Sequence, residues 1–165
     1  MLETPDRFPL SPEARASVLA SWGRVVPLAD VFALTLYRRL FERAPHLREL
    51  FHTDIGTQGR RVFEALDALV GATADWTAIE PGLMKLGRRH GYVGVKPQDF
   101  ADLAWALHRT FEDILGDAYP APVRDAWGRL LGAVSAAMIR GMEEVGDAAK
   151  DCDTTRFFRT PPELR

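Results

Sequence analysis

The stretch LGRRHGYVGVKPQDF, residues 86–100, decides how this chain is read. It sets His90 at the end of a helical pattern, between arginine and glycine. Leu83 and Leu86 precede it by seven and four residues, so the three share one helix face. Spacing alone leaves two readings of His90. One is a helix-end histidine whose protonated form is favoured by the helix macrodipole. The other is a neutral imidazole turned into an apolar cavity, where a ring nitrogen ligates a metal. The apolar Tyr92, Val93 and Val95 that follow are more than a surface turn requires.

Outward from this stretch, helix signals dominate. Pro81 reads as the first turn of the helix that reaches His90, with Gly91 as its left-handed C-terminal cap. Pro97 opens the next helix, which carries Phe100, Leu103, Leu107, Phe111 and Ile114 and ends at Gly116. Upstream, Ser11, Pro12 and Glu13 form an N-cap, a first-turn proline and an early acid. A second helix spans about Leu28 to Glu42, with Phe32, Leu34, Leu36, Tyr37, Leu40 and Phe41 on its stripe. Pro45 starts a short helical segment ending near Phe51, and Thr57 or Asp54 opens a helix bearing Val62, Leu66 and Leu69. ATADWT, residues 73–77 with Ala72 before them, is a break. Pro120 and Pro122 precede a last helix with Trp127, Leu130, Leu131, Val134 and Met138 inward, and the period fades from about Gly146. The chain is therefore all-α, with seven or eight segments and too many breaks for a plain four-helix bundle. The expected division is an N-terminal extension of residues 1–9, one domain over 10–147 and a tail over 148–165.

The 165 residues suit one domain. A net charge of -2 excludes a basic nucleic-acid footprint. Cys152 is the single cysteine, so neither an internal disulfide nor a thiolate zinc site is available. No apolar run approaches ~18 residues and the first ten residues lack a signal-peptide pattern, so no membrane partner is expected and the cytoplasm is the expected compartment. Phosphate-loop, dinucleotide, zinc-protease and nucleophile-elbow motifs are all absent. Glu143–Glu144 and Asp151–Asp153 sit in polar stretches and read as solvated surface. The arginine pairs lie on separate helices and read as solvent faces. His46 and His52 read as exposed or semi-exposed, and His108 as a helix-edge residue.

From about residue 10 to 145 the chain resembles a globin. LSPEARASVLASW is similar to the family's first helix, LYRRLFERAPHLRELF to the next stretch and GTQGRRVFEALDALV to the distal helix. LGRRHGYVGVKPQDF is similar to the proximal helix, its corner and the start of the next helix. RDAWGRLLGAVSAAMI resembles the last helix of single-domain bacterial haemoglobins and of the globin part of flavohaemoglobins. The resemblance implies seven or eight helices around a haem pocket, haem b iron as cofactor and His90 as the proximal iron ligand. It implies that Phe51 stacks on the haem, and that Gln58 and Tyr37 take the two distal positions. Val62 would lie over the iron, with Leu86, Val95, Phe100 and Leu103 around the ring. Arg61, with Arg88 and Lys85, is the expected partner of the propionates. Only six residues separate Phe51 from Gln58, so the family's small fourth helix is expected to be missing.

A globin of this kind reversibly binds oxygen, and nitric oxide and carbon monoxide are the other gas ligands implied. Tyr37 and Gln58 are both hydrogen-bond donors and would hold a gas ligand that gains partial negative charge. The other functions weighed are a nitric oxide dioxygenase served by an external reductase, a gas sensor and a haem-free interaction protein. Flavohaemoglobins back the proximal histidine with a tyrosine and a glutamate. Here those positions hold Phe100 and Met142, which argues against fast redox catalysis.

Overall fold

The computed structural model describes residues 10–52 and 54–148, and side chains as far as Glu144. Ser11 Oγ accepts the Ala14 N–H at 3.2 Å and Pro12 follows it, starting α1, Pro12–Val25. A 3-10 turn, Val26–Leu28, then breaks the most apolar stretch of the chain at Pro27 and leads into α2, Ala29–Arg43. The two helices have 14 and 15 residues, each shorter than the ~20 that a membrane span needs. A second 3-10 segment, Pro45–Leu50, turns the chain toward α3, Ile55–Ala72, which Asp54 caps by accepting the Thr57 N–H. No helix lies between Leu50 and Ile55 among the described residues, as the short spacing predicts. Then come α4, Trp76–Tyr92, α5, Pro97–Leu115, and α6, Ala121–Ala148. Among the described residues the fold is thus six α-helices and three 3-10 turns, without strands.

Three sequence expectations need correction. The helix that carries His90 starts five residues before Pro81, because Asp75 caps it by accepting the Ala78 N–H. Pro81 therefore sits in the second turn, where its missing N–H costs a single backbone bond. The helix also passes through Gly91 to Tyr92, and the left-handed conformation belongs to Gly94, at φ 98°. A Cβ at Gly91 would only touch Met142 Cγ of α6, at 3.4 Å, which is ordinary van der Waals contact. Pro122 lies inside the first turn of α6 and not before it. By contrast Gly116, at φ 52°, closes α5 where expected. Asp151–Asp153 and the tail from 149 onward lie outside the described residues.

The core is aromatic. Trp22, Phe32, Phe63, Phe111 and Trp127 meet with ring centroids 4.5–6.0 Å apart, joining five of the helices. Burying polar rims is costly unless they are bonded, and these are. Trp127 Nε1 donates to Ser21 Oγ at 2.9 Å, and Trp22 Nε1 to Asp67 at 2.8 Å.

Two close helix crossings position the remaining helices. At Gly59 a Cβ would lie 2.7 Å from Ala33 Cβ, so α3 settles against α2 only with glycine there. At Gly87 and Gly141 a Cβ would lie 2.0 Å from the carbonyl oxygens of Met138 and Met84. The α4 and α6 backbones therefore touch, and the rotation of α4 is fixed. His90 is turned ~60° about the axis from Gly87, away from α6.

Candidate functional site

A cavity of about 260 Å³ opens between α2, α3, α4 and α5. That is close to the lower end of small-molecule pockets, roughly 300–1,000 Å³, and far beyond the voids that packed interiors tolerate. Most of its wall is apolar: Leu36 and Leu40 from α2, Leu47 and Leu50 from the following turn, Val62 from α3, Leu103 from α5.

His90 enters this wall from the last turn of α4. Its Nδ1 lies 2.9 Å from the Leu86 carbonyl oxygen, one turn earlier. A carbonyl can only accept, so Nδ1 carries a proton, and in the neutral ring Nε2 keeps a bare lone pair. The ring is fixed in the tautomer that ligates a metal. Beside it stands Phe100, buried, with centroids 6.3 Å apart and planes tilted by 36°. No carboxylate bonds to His90 among the described residues.

Tyr37 enters from α2. It is 3% exposed, and its hydroxyl has no hydrogen-bond partner among the described residues. Burial pushes its pKa from 10.0 up to about 12, so the phenol stays a donor at any ordinary pH. Phe51 packs edge-on to Tyr37 and to Phe41, at 5.3 and 5.5 Å, which fixes its ring in the wall. Gln58, in the first turn of α3, brings an amide to the same cavity, and Val62 follows one turn later.

The structure thus brings Tyr37, Phe51, Gln58, Val62, His90, Val95, Phe100 and Leu103 into one wall. Arg61 and Leu86 lie outside it: Arg61 is exposed, and Leu86 is 36% exposed and contributes its carbonyl to His90. Arg88 pairs with Glu144 at 2.8 Å, and Lys85 is exposed away from the wall. Two further polar residues reach the wall: His52, exposed as its reading in the sequence expects, and Asp99, which the sequence reading does not single out. His52 carries no spacing signal beyond standing next to Phe51. Asp99 looks like an ordinary first-turn acid of α5, and it does accept the Lys96 N–H at 2.8 Å. His46 is exposed as expected, but it bonds to Asp99, while His108 is half-buried against Tyr119.

The residues fit haem. Iron needs a nitrogen donor with a free lone pair, the macrocycle needs an apolar slot with an aromatic edge, and a gas ligand needs polar donors without other partners. His90, Phe51 within its aliphatic surround, and the unpartnered Tyr37 hydroxyl meet these needs in turn. No group of three or more His, Cys, Asp or Glu stands ready to bind a bare metal among the described residues.

Comparison with known proteins agrees. The globin family profile matches residues 34–138. The neuroglobins of Dissostichus mawsoni and Tetraodon nigroviridis are 33% and 34% identical over 156 residues, covering 86% of this chain and 98% of each relative. These relatives are vertebrate proteins, and neither is of the flavohaemoglobin type. The fold is shared with a crystal structure of a hexacoordinated haem protein from an anhydrobiotic tardigrade at pH 4, with a TM-score of 0.75 at 19% identity, covering 83% of this chain and 97% of that one. Its helices, its cavity and these matches together make this chain a member of the globin family, and so a haem-iron protein.

Proposed function

We propose that this globin holds haem b through His90 Nε2 and binds oxygen reversibly, with Tyr37 and Gln58 donating to the gas. The observation that carries the reading is the Tyr37 hydroxyl, buried in the cavity wall without a partner. A hydroxyl buried without a partner costs about 1–3 kcal/mol. A fold retains that cost where a ligand removes it. The iron of bound haem supplies a reversible coordination site for a diatomic gas. The chain supplies the rest: a fixed imidazole on one side, two donors from α2 and α3, and a wall that excludes water.

The tyrosine–glutamine pair supports a slow-releasing oxygen binder, of the kind the resemblance of the last helix to single-domain bacterial haemoglobins implies. Nitric oxide and carbon monoxide would enter the same cavity. Nitric oxide dioxygenation with an external reductase would use the same donors. The apolar Phe100 beside His90 favours reversible binding over it, since no anionic partner raises the basicity of the imidazole.

The test is spectroscopic. Wild-type protein purifies with one haem per chain and gives distinct ferric, ferrous and oxygenated spectra. His90→Ala loses the haem or changes its coordination. If His90→Ala keeps haem with an unchanged spectrum, the reading fails.

A further inference from the structure

Two corners of the chain line the cavity and touch one another. One runs from Ala44 through the turn Pro45–Leu50 to Phe51 and His52. The other runs from Val93 to Lys96, between α4 and α5. Both contribute to the wall: Leu47, Leu50 and Phe51 from the first, Val93, Val95 and Asp99 from the second and the helix it opens. They meet at two points. A Cβ on Gly94 would stand 3.4 Å from Leu50 Cδ2, so the corners lie in van der Waals range there. Beside this contact, His46 Nε2 lies 3.1 Å from Asp99 Oδ1.

Among the described residues, this is the one side-chain hydrogen bond made by any residue of Pro45–Leu50. Asp99 is 5% exposed and already holds the Lys96 N–H with its other oxygen, so its carboxylate is fixed before His46 arrives. The His46 side chain is 63% exposed. Its ring therefore adds little to the core and acts chiefly through its N–H.

We propose that the His46–Asp99 hydrogen bond clasps the two corners and sets how fast haem leaves the cavity. The proposal rests on the haem reading above. A flat macrocycle leaves past these corners only when they part, and this bond must break for them to part. The clasp couples the corner that carries Phe51 to the corner that follows His90, without touching iron or gas. His46 and Asp99 are positioning residues.

The experiment measures transfer of ferric haem from the holoprotein to an excess of an apoglobin acceptor, followed by the Soret band. His46→Leu, which has no donor, is expected to lose haem about three- to tenfold faster, as suits a bond that is buried at one end and exposed at the other. His46→Gln keeps an N–H of similar reach and is expected to restore the wild-type rate. Asp99→Asn accelerates loss, and His46→Leu combined with Asp99→Asn is no faster than the faster single variant. The thermal midpoint of the apoprotein falls only slightly in His46→Leu, as suits a mostly exposed ring. If Asp99→Asn fails to fold because α5 loses its first-turn acceptor, the two His46 variants alone decide. A wild-type rate in His46→Leu overturns the clasp, and so does equal acceleration by leucine and glutamine. Protein that takes up no haem at all refutes the functional reading instead.

Discussion

Tyr37 and Tyr119 are both buried, at 3% and 6% exposure, and burial raises the pKa of both phenols. Their hydroxyls differ. Tyr119 lies where α5 and α6 are joined, and its hydroxyl bonds to His108 Nδ1 at 2.6 Å. Tyr37 stands in the cavity wall with no partner. The same division separates the two regions they belong to. In the aromatic core every indole N–H finds an acceptor, Thr110 Oγ1 donates to the Ala106 carbonyl, and Thr73 Oγ1 donates to the Val70 carbonyl. At the cavity one hydroxyl is left over. Packing satisfies polar groups where stability is the aim, so the unpartnered Tyr37 hydroxyl is the group on which the proposed gas site rests.

Substitutions that remove one region at a time test this division. The largest effect belongs to the core. Trp127 is fully buried and packs 4.5 Å from Phe111, so Trp127→Ala costs about 3–5 kcal/mol of stability in chemical denaturation. Any protein that remains folded and haem-loaded keeps the wild-type ferric spectrum, because Trp127 is not part of the cavity wall. A changed ferric spectrum in that variant would join the two regions. Next comes Tyr37→Phe. A hydrogen bond to a group that gains charge is worth about 1.5–3 kcal/mol, which speeds oxygen release about ten- to a hundredfold in stopped flow. The same substitution removes the unpartnered hydroxyl, and the apoprotein is expected to gain about 1 kcal/mol. Unchanged release would remove Tyr37 from the gas site. A third, smaller effect runs the other way. Tyr119→Phe strands His108 Nδ1 and lowers stability by about 1 kcal/mol in the same denaturation experiment, with oxygen release unchanged.

Much of this architecture is legible in the sequence, because local chemistry carries it. Ser11 before Pro12, Pro97 and Gly116 mark helix ends through bonds made within one turn, so the reading needs no tertiary information. His90 and its apolar neighbours share a helix face for the same reason. What is missed depends on contacts far along the chain. Gly91 reads as a cap because glycine suits a left-handed residue, yet α4 runs on to Tyr92 and the left-handed role passes to Gly94, which meets Leu50 44 positions earlier. Pro81 reads as a helix start because nothing in its vicinity shows that Asp75 has already capped the helix. Arg61 is expected near the cavity from charge alone, and charge does not fix the side of α3 on which a residue lies. Asp99 and His46 are 53 positions apart, and no periodic pattern links them. The distal pair and Phe51 come from resemblance, since spacing by itself does not say that α2, the corner and α3 face a single cavity.

The last effect is on the alkaline side, and its sign follows from the same two phenols. Burial penalises the phenolate, so both groups ionise later in the folded chain than in the unfolded one. Unfolded chains give up these protons near pH 10 while the folded protein still holds them, so stability is full below that pH and falls as pH rises. For Tyr37 the fall runs from about pH 10 to about 12. The thermal midpoint of wild-type apoprotein should therefore drop between pH 9.5 and 11, within ~1–1.5 units of the ordinary tyrosine value, and each Tyr→Phe variant should drop less. Oxygen release from the holoprotein should stay level over the same interval, because the Tyr37 phenol remains protonated where an exposed tyrosine would not. An alkaline rise in the release rate centred near pH 10 would mean that Tyr37 meets solvent when haem is bound. Its missing partner would then be water, and the contrast with Tyr119 would lose its functional meaning.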